Sequence, residues 1–487
     1  MQLGDMLIAG GRASPADIAA ALERQAREGG RLGENLIAMG VATADQIAEI
    51  VESVPAIPTA IAESGISERN LLYLLLKFMY VEACETVLEL ADRMKLPRSL
   101  IQRLIQASIH QRYLAATGAT SDLALSTHYA LTEAGRNAAK EALDQSLYMG
   151  PAPVSLTAYR AQIEKQRITN EMMDEATLRR GFAGLVVPEH MFRRLLPAIN
   201  AGRSVLLYGP PGNGKTTLST RIAGLFKDIV YIPYAVEVAG QIIKVHDVQI
   251  HKPHPQHESP VPGANALGLQ RETFDQRWVA CSRPVVMTGG EMTLEMLDLQ
   301  WNSEARFYDA PLHVKALNGM MLVDDFGRQK FAPNDLLNRW IVPMESQIDF
   351  MKLNTGASFT LPFDVLLMFS TNLQPADLMD PAFLRRIQYK IKLFEPTRNE
   401  FHRIFAAIAK SRGLTFDEDV FDYVVRMLTS YGLAYYQPAF ICNHVLETCK
   451  SFGLPPLLTK ELAGEAMANL YVDIEEKLGL ADEVAAG

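Results

Sequence analysis

One nonapeptide constrains this chain more than any other feature: Gly209-Pro210-Pro211-Gly212-Asn213-Gly214-Lys215-Thr216-Thr217. The apolar run Val205-Leu206-Leu207-Tyr208 precedes it and Leu218-Ser219-Thr220-Arg221-Ile222-Ala223 follows. A buried strand, a glycine-rich turn and then a helix are the context a phosphate-binding loop needs. Glycines let backbone N–H groups converge on phosphate oxygens, and the helix N-terminus adds partial positive charge. Lys215 is expected to reach the terminal phosphates and Thr216 to ligate Mg²⁺. From about residue 171 the pattern is strand, loop, helix, which predicts an α/β fold with a parallel sheet. Short apolar runs at 205–208, 229–234, 320–323 and 365–369 suit buried parallel strands.

Three further signals follow in order. Met320-Met321-Leu322-Val323 ends in Asp324 and Asp325, two carboxylates at a strand terminus. Asp324 suits a Mg²⁺ ligand, and Asp325 suits a base that orients an attacking water. Phe369-Ser370-Thr371-Asn372 ends another strand, where Asn372 could position that water. Asp380-Pro381-Ala382-Phe383-Leu384-Arg385-Arg386 then places two cations on a helix.

This ordered set resembles the AAA+ ATPases over roughly 171–487. The resemblance implies Walker A at Lys215 and Thr216, Walker B at Asp324 and Asp325, and sensor 1 at Asn372. It implies an arginine finger at Arg385 or Arg386, acting on a neighbouring subunit's nucleotide. Val186 and Val187 look like adenine contacts. Residues 347–362 read as a β-hairpin turning at Asn354-Thr355-Gly356, similar to the pre-sensor-1 superclade that includes MoxR-like chaperone ATPases. Three features depart from the family. The second Walker B acid is Asp, not Glu. Ala439 stands where a sensor 2 arginine is expected. Lys215 and Asp324 are 109 positions apart, about 50 more than short α/β connections need, so an insertion is expected within 237–315. Its His246, His251, His254 and His257 invite a zinc hypothesis. Pro253, Pro255 and Lys252 suggest a polar extended loop instead.

The N-terminus holds an internal repeat: Leu3-Gly4-Asp5-Met6-Leu7-Ile8 recurs as Leu32-Gly33-Glu34-Asn35-Leu36-Ile37, offset by 29. Each unit reads as a short helix, a glycine (Gly11, Gly40), a capping Ser14 or Thr43, and an amphipathic helix. The pair resembles the MshEN-type domain found ahead of type II secretion and type IV pilus ATPases. That family binds cyclic di-GMP, which would place Leu3, Gly4, Gln25, Arg31, Leu32 and Gly33 at a ligand. Gln2 stands where the first motif has arginine, and residues 1–60 carry 4 basic and 8 acidic side chains. A docking domain that has lost the ligand is the other reading.

Residues 67–147 read as a winged helix: helices near 70–80, 85–94 and 98–110, a hairpin with a wing at 117–122, and a last helix opened by Leu131-Thr132-Glu133-Ala134-Gly135-Arg136. With 9 basic and 9 acidic residues over 67–145, it is less basic than a DNA reader.

The expected architecture is multidomain: a small all-α N-terminal repeat domain (1–54), a winged helix (67–147), a linker (148–170), an α/β P-loop core of AAA+ type (171–395) and an all-α C-terminal lid (396–487). Apolar residues at 48% and a net charge of −9 exclude wholesale disorder and oppose non-specific nucleic-acid binding. No apolar run approaches the ~20 residues of a membrane helix, and the N-terminus lacks a signal-peptide pattern. Four cysteines without a C-x-x-C pair suggest a reduced, cytoplasmic protein. The function expected is ATP hydrolysis by a homo-oligomer, of hexameric order, that remodels a protein client. The rival readings are a nucleotide-responsive winged-helix DNA-binding regulator and a weakly hydrolysing ATP-gated scaffold for a secretion or pilus-type system.

Overall fold

The computed structural model describes residues 3–9, 12–119, 127–254 and 274–471. Gln2, Gly11, His257, the wing at 120–122 and the end of the lid beyond 471 lie outside the described residues. The chain divides into two compact units, one of 1–172, 226–322 and 329–367, the other of 173–225, 323–328 and 368–487.

In the second unit the strand Val205–Tyr208 is buried for three of its four residues. Met368–Thr371 runs parallel to it on one side, with Met368 opposite Val205 and Thr371 opposite Tyr208. Tyr389–Lys392 runs parallel on the other side. Parallel strands bring their C-terminal ends to one edge, where α/β proteins place ligands. There the chain leaves Tyr208, turns through the glycine-rich loop and enters the helix Lys215–Ala223. Among the described residues four helices follow Pro396: Arg398–Ser411, Glu418–Leu428, Gln437–Phe452 and Lys460–Leu470. Their apolar stripes meet in a core of Phe401, Phe405, Val424, Ile441, Val445 and Met467. The first starts at a capping box, in which Thr397 and Glu400 satisfy each other's backbone amides.

The first unit begins with the repeat as four helices, Leu3–Ala9, Pro15–Glu28, Leu32–Ala38 and Ala44–Ser53. Ser14 with Asp17 and Thr43 with Gln46 form matching capping boxes. Repeat partners Leu7 and Leu36 are fully buried in one small core. The helices Glu68–Val81, Val87–Met94 and Arg98–His110 precede an antiparallel hairpin, Leu114–Ala119 with Thr127–Leu131, and the helix Glu133–Gln145. Thr132 caps that last helix through Gly135 N at 3.0 Å, and its hydroxyl also donates to Arg112 O at 2.7 Å. The leucine-threonine signal is therefore a cap that fastens the helix to the hairpin.

Residues 148–170, expected as a linker, are folded. Val154–Ser155 pairs parallel with the strand Ala235–Val238, and Leu156–Lys165 is a helix. Arg283 is buried behind this segment, donating to Glu171 Oε2 at 2.8 Å, Gln166 O at 3.0 Å and Asn318 O at 2.7 Å. The run at 229–234 also differs from expectation. Ile229–Pro233 is a buried strand, but it pairs antiparallel with Trp278–Ser282. The extra length within 237–315 supplies that partner, so the local apolar pattern gave no sign of the pairing. The rest of this stretch adds Gln241–Lys244, Val285–Thr288, Gln300–Asn302 and Phe307–Asp309 as strands.

His251 is a core histidine. Its Nδ1 accepts from Asp247 N and its Nε2 meets Lys315 O, both at 2.8 Å. Burial pushes it down to about 4. With both nitrogens engaged it is not free to bind zinc, and among the described residues there is no group of three or more His, Cys, Asp or Glu side chains that could hold a metal ion. The hairpin after 347 is present as Ile348–Lys352 and Ser358–Pro362, with Leu353 N bonded to Ala357 O across the turn. All four cysteines are free and buried. Among the described residues no helix is long and apolar enough to cross a membrane.

Candidate nucleotide site

The site lies wholly within the second unit. A cavity of about 890 Å³ is lined by the glycine-rich loop, Val186, Val187, Asp324, Asp325, Asn372 and the lid residues Ile404, Ile408, Tyr436 and Ala439. Its size suits a small organic ligand.

The loop is shaped by its glycines. Gly212 and Gly214 have φ of +74° and +77°, a region that side chains disfavour. A Cβ on Gly209 would lie 2.2 Å from Leu393 O. Lys215 is buried, with Nζ donating to Gly209 O at 3.0 Å and Pro210 O at 2.9 Å. Burial holds its pKa below the usual lysine value, while Asp325 and Asp324 oppose that shift.

Thr216 Oγ1 donates to Asp324 Oδ2 at 2.8 Å, joining two residues 108 positions apart. Ser370 Oγ donates to the other oxygen, Asp324 Oδ1. Asp325 has φ of +47°, unusual for a residue other than glycine. That left-handed step carries its carboxylate out of the strand direction and beside Asn372, whose Nδ2 donates to Asp325 Oδ1 at 3.2 Å. Backbone strain of this kind clusters at functional sites.

The structure thus gathers Lys215, Thr216, Thr217, Asp324, Asp325, Asn372, Val186 and Val187 around one cavity. It does not bring Arg385 or Arg386 there. Both lie in the short helix Pro381–Arg386, with Arg385 exposed and the Arg386 guanidinium 5.5 Å from the Phe383 ring. Ser370 was not anticipated as a site residue. It lies in the strand Val365–Thr371, two positions before Asn372, which directly follows that strand. Tyr436 was missed because Gly212 and Tyr471, which it meets, are distant in sequence.

A metal ion fits the donor set. Thr216 and Asp324 are oxygen donors already in contact, with Asp325 adjacent, which suits Mg²⁺ held by one or two carboxylates plus substrate phosphates. Asn372 Oδ1 and both side-chain polar atoms of Asn213 are buried without a hydrogen-bond partner. Such orphans mark a place where a further polar group is accommodated.

The six residues proposed for cyclic di-GMP are arranged differently. Gly33 is buried against the fourth helix, where a Cβ would lie 3.0 Å from Ile47 Cγ2. Its repeat partner Gly4 meets Ile18 in the same way, at 2.8 Å. Leu3 and Leu32 pack on the small core. Gln25 Nε2 donates to Gly30 O at 2.9 Å. Arg31 is exposed, and its backbone N–H donates to Glu34 Oε2 at 2.9 Å.

Residues 397–469, which cover the lid helices, match a family described as a domain of unknown function (DUF8689). No curated protein matches the chain. Among solved structures it is similar to NtrX from Brucella abortus, at 15% identity and a TM-score of 0.36, over 63% of this chain and 59% of that one. The chain therefore spans less than two thirds of that NtrX chain. A second similar structure is the RuvB Holliday junction branch migration motor of Thermotoga maritima, at 15% identity and a TM-score of 0.31, over 66% of this chain and 73% of that one. Similarity this weak carries no argument, and the functional reading rests on the chain's own residues.

Proposed function

We propose that this chain is an ATPase of AAA+ type, working as a homo-oligomer of hexameric order that remodels a protein partner. The observation that supports it is the bonding of Asp324 to Thr216 and Ser370, and of Asp325 to Asn372, beside one cavity. Phosphoryl transfer needs positioning and charge compensation more than covalent chemistry, and these groups supply both.

In this reading the backbone amides of Gly212–Thr216 and the Lys215 ammonium bind the phosphate oxygens, and Val186 and Val187 pack against adenine. Thr216 and Asp324 hold Mg²⁺, with Ser370 fixing the Asp324 carboxylate. The ion, when bound, neutralises charge on the transferring phosphoryl group. Asp325 accepts a proton from the attacking water while Asn372, bonded to Asp325, orients both. Arg385, exposed outside the cavity, or its half-buried neighbour Arg386 reaches the nucleotide of a neighbouring subunit.

The N-terminal repeat favours a docking role over a cyclic di-GMP site. Helix packing accounts for Gly4 and Gly33, and the Glu34 carboxylate beside the Arg31 amide opposes a dianion. The near-neutral helical segment over 67–145 favours a protein partner over DNA.

Lys215→Ala tests the assignment. Removing the loop cation should weaken ATP binding by about 100-fold, in keeping with a charged hydrogen-bonding group lost from a phosphate site. Unchanged ATP affinity by calorimetry would reject it.

A further inference from the structure

An aromatic ring of the lid lies on the glycine-rich loop. A Cβ built on Gly212 would lie 2.2 Å from Tyr436 Cδ1 and 2.5 Å from Cε1, so the ring rests directly on the loop backbone. Tyr436 is the N-cap residue of the helix Gln437–Phe452. Three positions on is Ala439, which also lines the cavity and offers neither charge nor hydrogen bond.

A hydrogen-bonded brace holds the ring's hydroxyl end, although Tyr436 itself is 40% exposed. Tyr436 Oη is 3.2 Å from Tyr471 Oη, and Gln437 Nε2 donates to Tyr471 Oη at 2.8 Å. Gln437 is fully buried. Its Nε2 also donates to Gly432 O at 2.9 Å, and its Oε1 accepts from Ala434 N at 2.7 Å. Tyr471 in turn stacks on Tyr431, with ring centroids 4.2 Å apart. The loop, the lid's third helix and the end of its fourth are tied together through Tyr436.

We propose that Tyr436 is a positioning residue that couples the lid to the phosphate-binding loop and sets how fast nucleotide leaves. This rests on the nucleotide assignment above. The contact is to the loop backbone, so it senses the loop's shape and not the terminal phosphate. ATP and ADP hold the same loop and should therefore be affected alike. A cation introduced at position 439, which lines the same cavity, would instead respond to phosphate charge and separate the two.

The test is stopped-flow release of fluorescent ATP and ADP analogues from the full-length chain. Where lid opening limits release, Tyr436→Ala should speed it about 10-fold for both nucleotides. Tyr436→Phe, which keeps the ring on the loop and loses the bond to Tyr471, should fall between wild type and Tyr436→Ala. Ala439→Arg should slow ATP release more than ADP release. Unchanged release from Tyr436→Ala would overturn the proposal, as would an effect on ATP alone. Equal acceleration by the Phe and Ala variants with a lowered melting temperature would also overturn it, showing that the hydroxyl merely holds the lid together. Wild-type protein that binds neither analogue would defeat the nucleotide assignment itself, a result distinct from the other three.

Discussion

Ser370 holds one oxygen of the carboxylate that is proposed to bind Mg²⁺. It donates to one oxygen of Asp324 while Thr216 donates to the other. Groups that orient metal ligands typically account for 10–100-fold in metal affinity or activity. Ser370→Ala should therefore lower ATP turnover by about 10-fold and raise the Mg²⁺ concentration needed for half-maximal rate. Nucleotide affinity without Mg²⁺ should stay near wild type. A Mg²⁺ titration of turnover that matches wild type would remove Ser370 from the site. Most of the site was legible at this scale, because Lys215, Thr216, Asp324 and Asn372 each end or follow a recognisable apolar strand. Ser370 was readable in principle from its spacing to Asn372. The positive φ of Asp325 was not, since no local pattern announces a left-handed residue after a buried strand.

At the scale of elements, glycines placed at close approaches decide the packing. A Cβ on Gly135 would lie 2.1 Å from Tyr113 O, a backbone atom that cannot move aside as a side chain could. Gly135→Ala should cost about 1–3 kcal/mol, the usual range for overpacking, and shift the urea midpoint of the full chain downward. An unchanged midpoint would mean that the hairpin and helix relax apart freely. The repeat glycines Gly4 and Gly33 follow the same logic against Ile18 and Ile47. Their spacing was plain in the sequence, but their purpose was not: the same Leu-Gly pairs suit a ligand site or a tight helix crossing. Strand positions at 205–208, 320–323 and 365–369 were legible because each is a short apolar run. The antiparallel pairing of Ile229–Pro233 was not, because its partner Trp278–Ser282 arrives 45 residues later. Periodicity describes one strand's faces and says nothing of its neighbour's direction.

For the whole molecule, the exposed position of Arg385 matters most. A residue outside its own chain's cavity can complete a neighbour's. An arginine finger supplied by another subunit is worth roughly 10³-fold or more in turnover. Arg385→Ala and Lys215→Ala chains should each be nearly inactive alone, yet mixtures should recover part of the ATP turnover, as intact pockets meet intact arginines. Absence of recovery at any mixing ratio would assign the role to Arg386 or to a site complete within one chain. The central claim, that this cavity hydrolyses ATP with Asp325 as the base, is tested most directly by comparing Asp325→Asn with wild type in ATP calorimetry and steady-state phosphate release. The account predicts that the variant binds ATP within about 3-fold of wild type and turns over about 100-fold more slowly, the range for loss of a general base. Wild-type turnover in Asp325→Asn would contradict it.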